Sequence, residues 1–238
     1  MDNNNDLHIS EKTIKRLIKD IKEIKKNPLT KHGIYYKHDD SDILKGQALI
    51  IGPENTPYQY GYYLFDFYFP TDYPHTPPRV KYLTNDGNTR FNPNLYKCGK
   101  VCLSILNTWR GENWTGCQTI STVLLTLVTI LHNMPLINEP GFDEKHFANK
   151  NYNKIITYKN FDTAIYYMLT DFNTNLNRHY DTMKDLFINN YDKIINKITS
   201  LANDNKKENV QSSVYNMFTE INYPLILNKI KELFIKLK

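Results

Sequence analysis

Between Gly33 and Leu83 the sequence breaks into four short strand-like runs, and this limits the available folds more than any other feature. "GIYYKHDD" and "SDILKGQALIIG" are parted by Asp39, Asp40 and Ser41, a turn composition. "GYYLFDFYFP" (Gly61 to Pro70) is rich in aromatics and stops at a proline, and "RVKYL" (Arg79 to Leu83) is the fourth run. Runs at such short spacing predict an antiparallel meander. Between the third and fourth lies "TDYPHTPP", whose prolines Pro74, Pro77 and Pro78 forbid regular structure.

Helical patterns flank these runs. Ile14, Leu17, Ile18, Ile21 and Ile24 recur at helical spacing ahead of them, interleaved with Lys12, Lys15, Arg16, Lys19 and Lys22. Ser10 is placed to cap this helix, and Asn27-Pro28 ends it. From Thr84 to Cys117 no period is legible, and a loop this long in a compact domain is usually functional. A helix then carries Ile120, Val123, Leu124, Leu127 and Leu131 on one face and ends near Met134-Pro135. Three more helices are expected: about Tyr152 to Asp171, near Thr182 to Leu201, and near Val214 to Leu237. Pro224 interrupts or opens the last, and the polar "ANDNKKEN" (Ala202 to Asn209) reads as a linker before it. The class is α+β.

The 238 residues suit one medium domain, or a domain of about 150 residues with an extension. No apolar run approaches the roughly 20 residues of a membrane span. The start, "MDNNNDLHIS", lacks the basic and apolar regions of a signal peptide, which points to the cytoplasm or nucleus. The net charge of +5 is mild and its lysines are dispersed, so no nucleic-acid surface is expected, and an acidic protein partner is favoured. Three cysteines make no disulfide framework; they are free thiols, metal ligands or a nucleophile.

Cys98, Cys102, Cys117 and His132 are separated by three, fourteen and fourteen residues. Only the first pair has the spacing of a structural zinc site, so no metal is expected. A nucleophile fits better. If "KVCLSIL" is extended, Val101, Leu103 and Ile105 share one face, with Cys102 and Ser104 on the other. Cys98 instead precedes Gly99 in "YKCGK", a turn composition. Geometry thus favours Cys102, and the competing reading is a small buried cysteine without chemistry. A thiol protease needs a histidine beside its cysteine, and none lies in "RFNPNLYKCGKVCLSIL". Asn94 offers an amide that could donate to a developing oxyanion.

The ordered motifs resemble the catalytic core of the ubiquitin-conjugating enzyme family. They are Tyr73-Pro74 with Pro77-Pro78, then Asn92-Pro93-Asn94, then Cys102 eight residues after Asn94, then Trp109 and Trp114. "GPENTPYQYGYYLFDFYFP" is similar to the family's Gly-Pro-x-x-Thr-x-Tyr-x-x-Gly region, and "FNPN", "GKVCLSIL" and "NEPGF" resemble the large Z-type subgroup.

The resemblance implies an N-terminal helix, a four-stranded antiparallel sheet, an active-site loop and a crossover helix. It places the core at residues 7–171 and a helical extension at 172–238. Implied partners are ubiquitin or a ubiquitin-like modifier, an activating enzyme, a ligase and protein substrates. No cofactor is implied, because ATP is consumed by the activating enzyme, and the chain has no Gly-rich phosphate loop.

By the same resemblance Cys102 holds the modifier as a glycyl thioester. Asn94 stabilises the oxyanion or supports the loop, and Asn92 replaces the motif histidine in a structural role. Gate candidates are Asn138, Glu139 and Asp143 in "NEPGFDE". Lys12, Lys15, Arg16 and Lys19 are candidates for docking the activating enzyme. His75, Gly116 and Cys117 stand where ligase contacts would fall, and they depart from the common pattern. Two rivals are a silent scaffold and a conjugator of another modifier.

Overall fold

The structure, a computed structural model, describes residues 9–172, 177–204 and 207–238. Helix α1 (Glu11–Lys26) starts at Ser10, whose hydroxyl accepts the Thr13 N–H at 3.1 Å. Leu17 and Ile24 turn inward, while Ile18, one position and about 100° from Leu17, faces solvent. Asp20 is buried on the same face. It accepts from Arg16 Nε at 2.9 Å and from the Tyr73 hydroxyl at 2.5 Å, which ties α1 to the proline loop. Within that loop Tyr73-Pro74 is a cis peptide.

The expected meander forms. Strands β1 (Ile34–His38), β2 (Lys45–Ile51), β3 (Tyr62–Tyr68) and β4 (Arg79–Tyr82) pair antiparallel in sequence order. Gly46 through Ile50 of β2 are all buried, so this strand is covered on both faces.

After β4 the chain wanders as the missing period predicted. It is fastened by isolated bridges at Lys81–Lys100, Asn92–Leu95 and Leu95–Val101. Helix α2 (Ile120–Thr129) begins at a Thr119–Thr122 capping box. It ends earlier than the apolar pattern suggested, leaving Leu131 and His132 beyond it. The reason is local: the Ile130 carbonyl is taken by the side-chain amides of Asn92 at 2.7 Å and Asn138 at 3.2 Å, and Met134 N–H donates to His132 Nδ1 instead.

Helix α3 (Ala148–Lys159) runs on through a π-helical stretch, Asn160–Tyr167, into α4 (Met168–Thr170). Buried Asn160 accepts from Tyr63 Oη at 2.7 Å and donates to the Gln59 carbonyl at 2.8 Å. Its Oδ1 comes so close to Gly61 that a Cβ there would stand 1.9 Å away.

Beyond residue 172 the expectation of helices alone needs an addition. Helices α5 (Tyr180–Asp204) and α6 (Tyr223–Leu237) do form, and Pro224 opens α6 in its first turn behind an Asn222 cap. Between them stands a hairpin of β5 (Glu208–Ser212) and β6 (Met217–Ile221), where a linker tail and the start of the last helix were expected. Met217, Thr219 and Ile221 are buried while Phe218 and Glu220 are exposed, a period of two. The hairpin docks on α3 through Lys154–Glu208 at 2.8 Å and Asn151 Nδ2 donating to the Gln211 carbonyl at 2.9 Å. Tyr191 and Phe234 stack at 3.7 Å between α5 and α6. Of the expected boundaries, the start at residue 7 and part of the linker, residues 205 and 206, lie outside the described residues. No described helix is long and apolar enough to cross a membrane.

Candidate active site

Cys102 lies on a segment held from both ends. On the near side Gly99 (φ +88) turns the chain under β4, where a Cβ would meet the Tyr82 carbonyl at 2.8 Å. On the far side Thr108 donates to the Val101 carbonyl at 2.9 Å and accepts the Leu103 N–H at 2.9 Å. Its hydroxyl therefore spans Cys102. The extended alternation stops at Leu103, where a 3-10 turn (Ser104–Leu106) begins, so Leu106 is buried and Ile105 only half-buried. Cys102 itself is 2% exposed, whereas Cys98 and Cys117 are exposed free thiols.

Asn94 faces Cys102 directly. Its amide donates to the Cys102 carbonyl at 2.7 Å, and the Cys102 N–H returns a bond to the Asn94 carbonyl at 2.9 Å. Asn94 Oδ1 is buried without a protein partner among the described residues. Asn92 is fully buried one turn away and uses both ends of its amide. It donates to Tyr58 Oη at 2.9 Å and to the Ile130 carbonyl at 2.7 Å. It accepts from Asn94 N–H at 3.0 Å and Asn138 Nδ2 at 3.3 Å. One amide thus joins Tyr58, the end of α2 and the Pro135–Asn138 turn.

Several contributors escaped the sequence reading. Tyr58 donates to the Phe91 carbonyl at 2.7 Å, and Tyr152 donates to the Arg90 carbonyl at 2.7 Å. Burial raises both phenols above their ordinary range, so they remain neutral donors. Tyr58 belongs to the quoted Gly-Pro-x-x-Thr-x-Tyr stretch, and its place there was the available signal. Tyr152 and Thr108 carried none, because their partners are set by the fold.

The gate candidates separate. Asn138 joins the Asn92 network, and its Oδ1 accepts from His132 Nε2 at 3.0 Å, the His132 Nδ1 being taken by the Met134 N–H. Glu139 accepts the hydroxyl of Tyr215 from the extension. Asp143 is exposed and accepts the Lys145 N–H at 2.9 Å, so it is brought to neither. Among the described residues the histidine side-chain hydrogen bonds go elsewhere: His38 to Tyr36 and Ile43, His132 to Asn138 and Met134, His146 to Ala148, and His179 to Gln47.

Lys12, Lys15 and Lys19 are exposed on α1. Arg16 is not free with them. Its guanidinium donates to the carbonyls of Gly116 at 2.6 Å and Gln118 at 2.5 Å, in addition to Asp20. Gly116 also lies beside Pro74, whose carbonyl accepts Trp114 Nε1–H at 2.7 Å. His75, Gly116 and Cys117 therefore sit on two adjoining, solvent-facing loops.

A meander flanked by α1 and α2, with a cysteine loop pinned by an Asn-Pro-Asn turn, is matched over residues 16–166 by the family model for "Ubiquitin-conjugating enzyme", and the chain belongs to that family. Among curated relatives, "Ubiquitin-conjugating enzyme E2 Z" of Xenopus tropicalis is 44% identical over 163 residues, 67% of this chain and 51% of its own. The Homo sapiens protein of the same description is 45% identical over 153 residues, 63% of this chain and 43% of its own. The chain thus spans about half the length of these relatives. Among solved structures, human Ubiquitin-conjugating enzyme E2 G1 is 32% identical with a TM-score of 0.44, covering 51% of this chain and 94% of that one.

Proposed function

We propose that the chain is an active ubiquitin-conjugating enzyme that carries ubiquitin, or a ubiquitin-like modifier, on Cys102. The observation that carries this reading is the reciprocal backbone and amide bonding of Asn94 and Cys102, at the family's eight-residue step. Neither exposed cysteine has such a cradle.

The Cys102 thiolate attacks the thioester carbonyl that the activating enzyme presents. A new C–S bond forms, the old one breaks, and the activating enzyme's sulfur leaves as a thiolate, so no net proton moves. In the second step a lysine amine attacks the Cys102 thioester. A C–N bond forms, the C–S bond breaks, and Cys102 departs as a thiol. The thioester is already activated, so no histidine base is required to generate it. The amine must lose a proton, which desolvation favours. Asn94 acts here as loop support through one of its two amide N–H groups, which donates to the Cys102 carbonyl. ATP is consumed by the activating enzyme.

Exposed Lys12, Lys15 and Lys19 support docking of an acidic face of the activating enzyme on α1. The adjoining loops with His75, Gly116 and Cys117 are the ligase-facing side. The catalytic core is placed at residues 7–171, with 172–238 as its extension.

Incubation with activating enzyme, ubiquitin and ATP should yield an adduct that dithiothreitol removes. Cys102→Ser should give a reductant-resistant ester or none, and Cys98→Ser should still charge. No adduct with any activating enzyme would favour a scaffold.

A further inference from the structure

The tip of the extension hairpin reaches the segment that leads to the candidate nucleophile. Tyr215 and Asn216, at the turn, have φ of +59° and +49°. The left-handed region is rarely adopted by a bulky aromatic, and here it coincides with an unusual set of contacts. The Arg90 guanidinium carbon lies 4.2 Å from the Tyr215 ring centroid and 3.5 Å from that of Tyr96. Arg90 Nη2 donates to the Pro93 carbonyl at 2.6 Å, inside the Asn92-Pro93-Asn94 turn. The Arg90 N–H donates to Met217 Sδ at 3.2 Å, and Lys97 Nζ to the Tyr215 carbonyl at 3.4 Å. The Tyr215 hydroxyl donates to Glu139, next to Asn138 of the Asn92 network.

We infer that Tyr215 is a positioning residue for Cys102, its ring holding the Arg90 guanidinium on the Pro93 carbonyl and so fixing the turn from which Asn94 holds the Cys102 loop. A ring over a guanidinium restricts the plane in which its N–H groups point, and a planar fork so restricted keeps one direction of donation. The contact chain is continuous: Tyr215 to Arg90, Arg90 to Pro93, Asn94 to Cys102. The hydroxyl contact with Glu139 adds a second tie between the hairpin and the gate segment. The extension is thereby part of the active-site scaffold.

The test uses the full chain with Cys98→Ser and Cys117→Ser, so that Cys102 is the one thiol. Tyr215→Gly suits the left-handed backbone while removing the ring, and Tyr215→Phe keeps the ring without the hydroxyl. One readout is the rate of Cys102 alkylation by iodoacetamide, which is independent of any modifier. The other is single-turnover discharge of the Cys102 thioester to free lysine, which rests on the conjugating function proposed above.

Tyr215→Gly is expected to raise alkylation about 5-fold, through freer opening of the loop. It should lower discharge about 10-fold, through misplacement of the thioester. Tyr215→Phe should stay within about 2-fold of the parent on both, because the ring face carries the cation–π contact. Arg90→Lys, which lacks the planar fork, should behave like Tyr215→Gly, and it decides the matter if the glycine variant does not fold. Parent-like rates for folded Tyr215→Gly or Arg90→Lys would overturn the inference. So would equal damage from Phe and Gly, which would assign the effect to the hydroxyl. If the parent forms no thioester, the conjugating function fails, and the alkylation rates alone decide whether Tyr215 positions Cys102.

Discussion

The side-chain amide of Asn94 donates to the carbonyl of Cys102, and the Cys102 N–H donates to the carbonyl of Asn94, at 2.7 and 2.9 Å. This pair fixes the direction in which the cysteine backbone leaves the turn. It also commits an amide proton that an oxyanion would otherwise compete for. Asn94→Ala is therefore expected to slow thioester discharge by about 10- to 100-fold, through misplacement of the thioester on a loosened loop. Cys102 alkylation should change in parallel, because the loop is loosened. Stopped-time discharge assays beside alkylation rates check this; slowed discharge with unchanged alkylation would reassign Asn94 to the oxyanion.

Asn92 has four hydrogen-bond partners in the buried interior. Asn92→Ala leaves Tyr58, Asn94 and Ile130 groups with partners lost. A stability loss of about 2–4 kcal/mol is expected, because buried polar groups left unpaired carry their desolvation penalty. Urea unfolding of the two proteins measures it. A change below about 1 kcal/mol would show that neighbouring amides re-pair.

Charge on α1 should divide into two kinds. Lys12→Glu, Lys15→Glu and Lys19→Glu alter exposed side chains and should leave melting within about 0.5 kcal/mol of the parent. They should weaken charging, most at low salt, since rim charges act on encounter. Arg16→Ala should instead destabilise by about 1–3 kcal/mol, because it unfastens the Gly116 and Gln118 carbonyls and leaves Asp20 buried beside Tyr73. Thermal melts and charging at two salt concentrations separate the cases.

His179, at the start of the extension, is buried against β2, with Nε2 bonded to the Gln47 carbonyl at 3.0 Å. Burial lowers its pKa from 6.5 to about 4; the Gln47 carbonyl opposes this, and Lys37 and Arg178 reinforce it. Below pH 6.5 the unfolded chain takes up a proton that the folded chain refuses. Stability therefore falls with pH down to about 4 and is level in this respect below it. The loss between pH 6.5 and 5 should be about 1.5 kcal/mol, the slope approaching 1.36 kcal/mol per unit only below pH 6. His38, also lowered first by burial, adds in the same sense. Denaturant unfolding across this window should show a shallower slope for His179→Gln; an unchanged slope would show that His179 is charged when folded.

The meander and α1 were legible because their signals are local. Asp39 to Ser41 makes a turn on its own account, and Ser10 caps its own helix. The hairpin was not legible. Only Val210 of "ENVQS" is strongly apolar, and β6 is five residues long beside a helix. Its alternation of Met217, Thr219 and Ile221 is too short to stand apart from a helical pattern. At the site, chain order placed Asn92, Asn94 and Cys102 together, since their contacts span few residues. Arg16 was hidden among lysines, because its partners lie about a hundred positions away. Tyr215 was hidden for the same reason.

The most direct measurement of the central claim is peptide mapping of the charged protein. Trypsin cuts after Lys97, Lys100 and Arg110, so Cys98 and Cys102 fall in different peptides. After charging with activating enzyme, ubiquitin and ATP, the uncharged thiols are blocked with N-ethylmaleimide. Thioesters are then cleaved and the freed thiols marked with a second reagent. The account predicts the second mark on the peptide from Val101 to Arg110, which contains Cys102. A mark on Cys98 or Cys117, with Cys102 blocked by the first reagent, would contradict it.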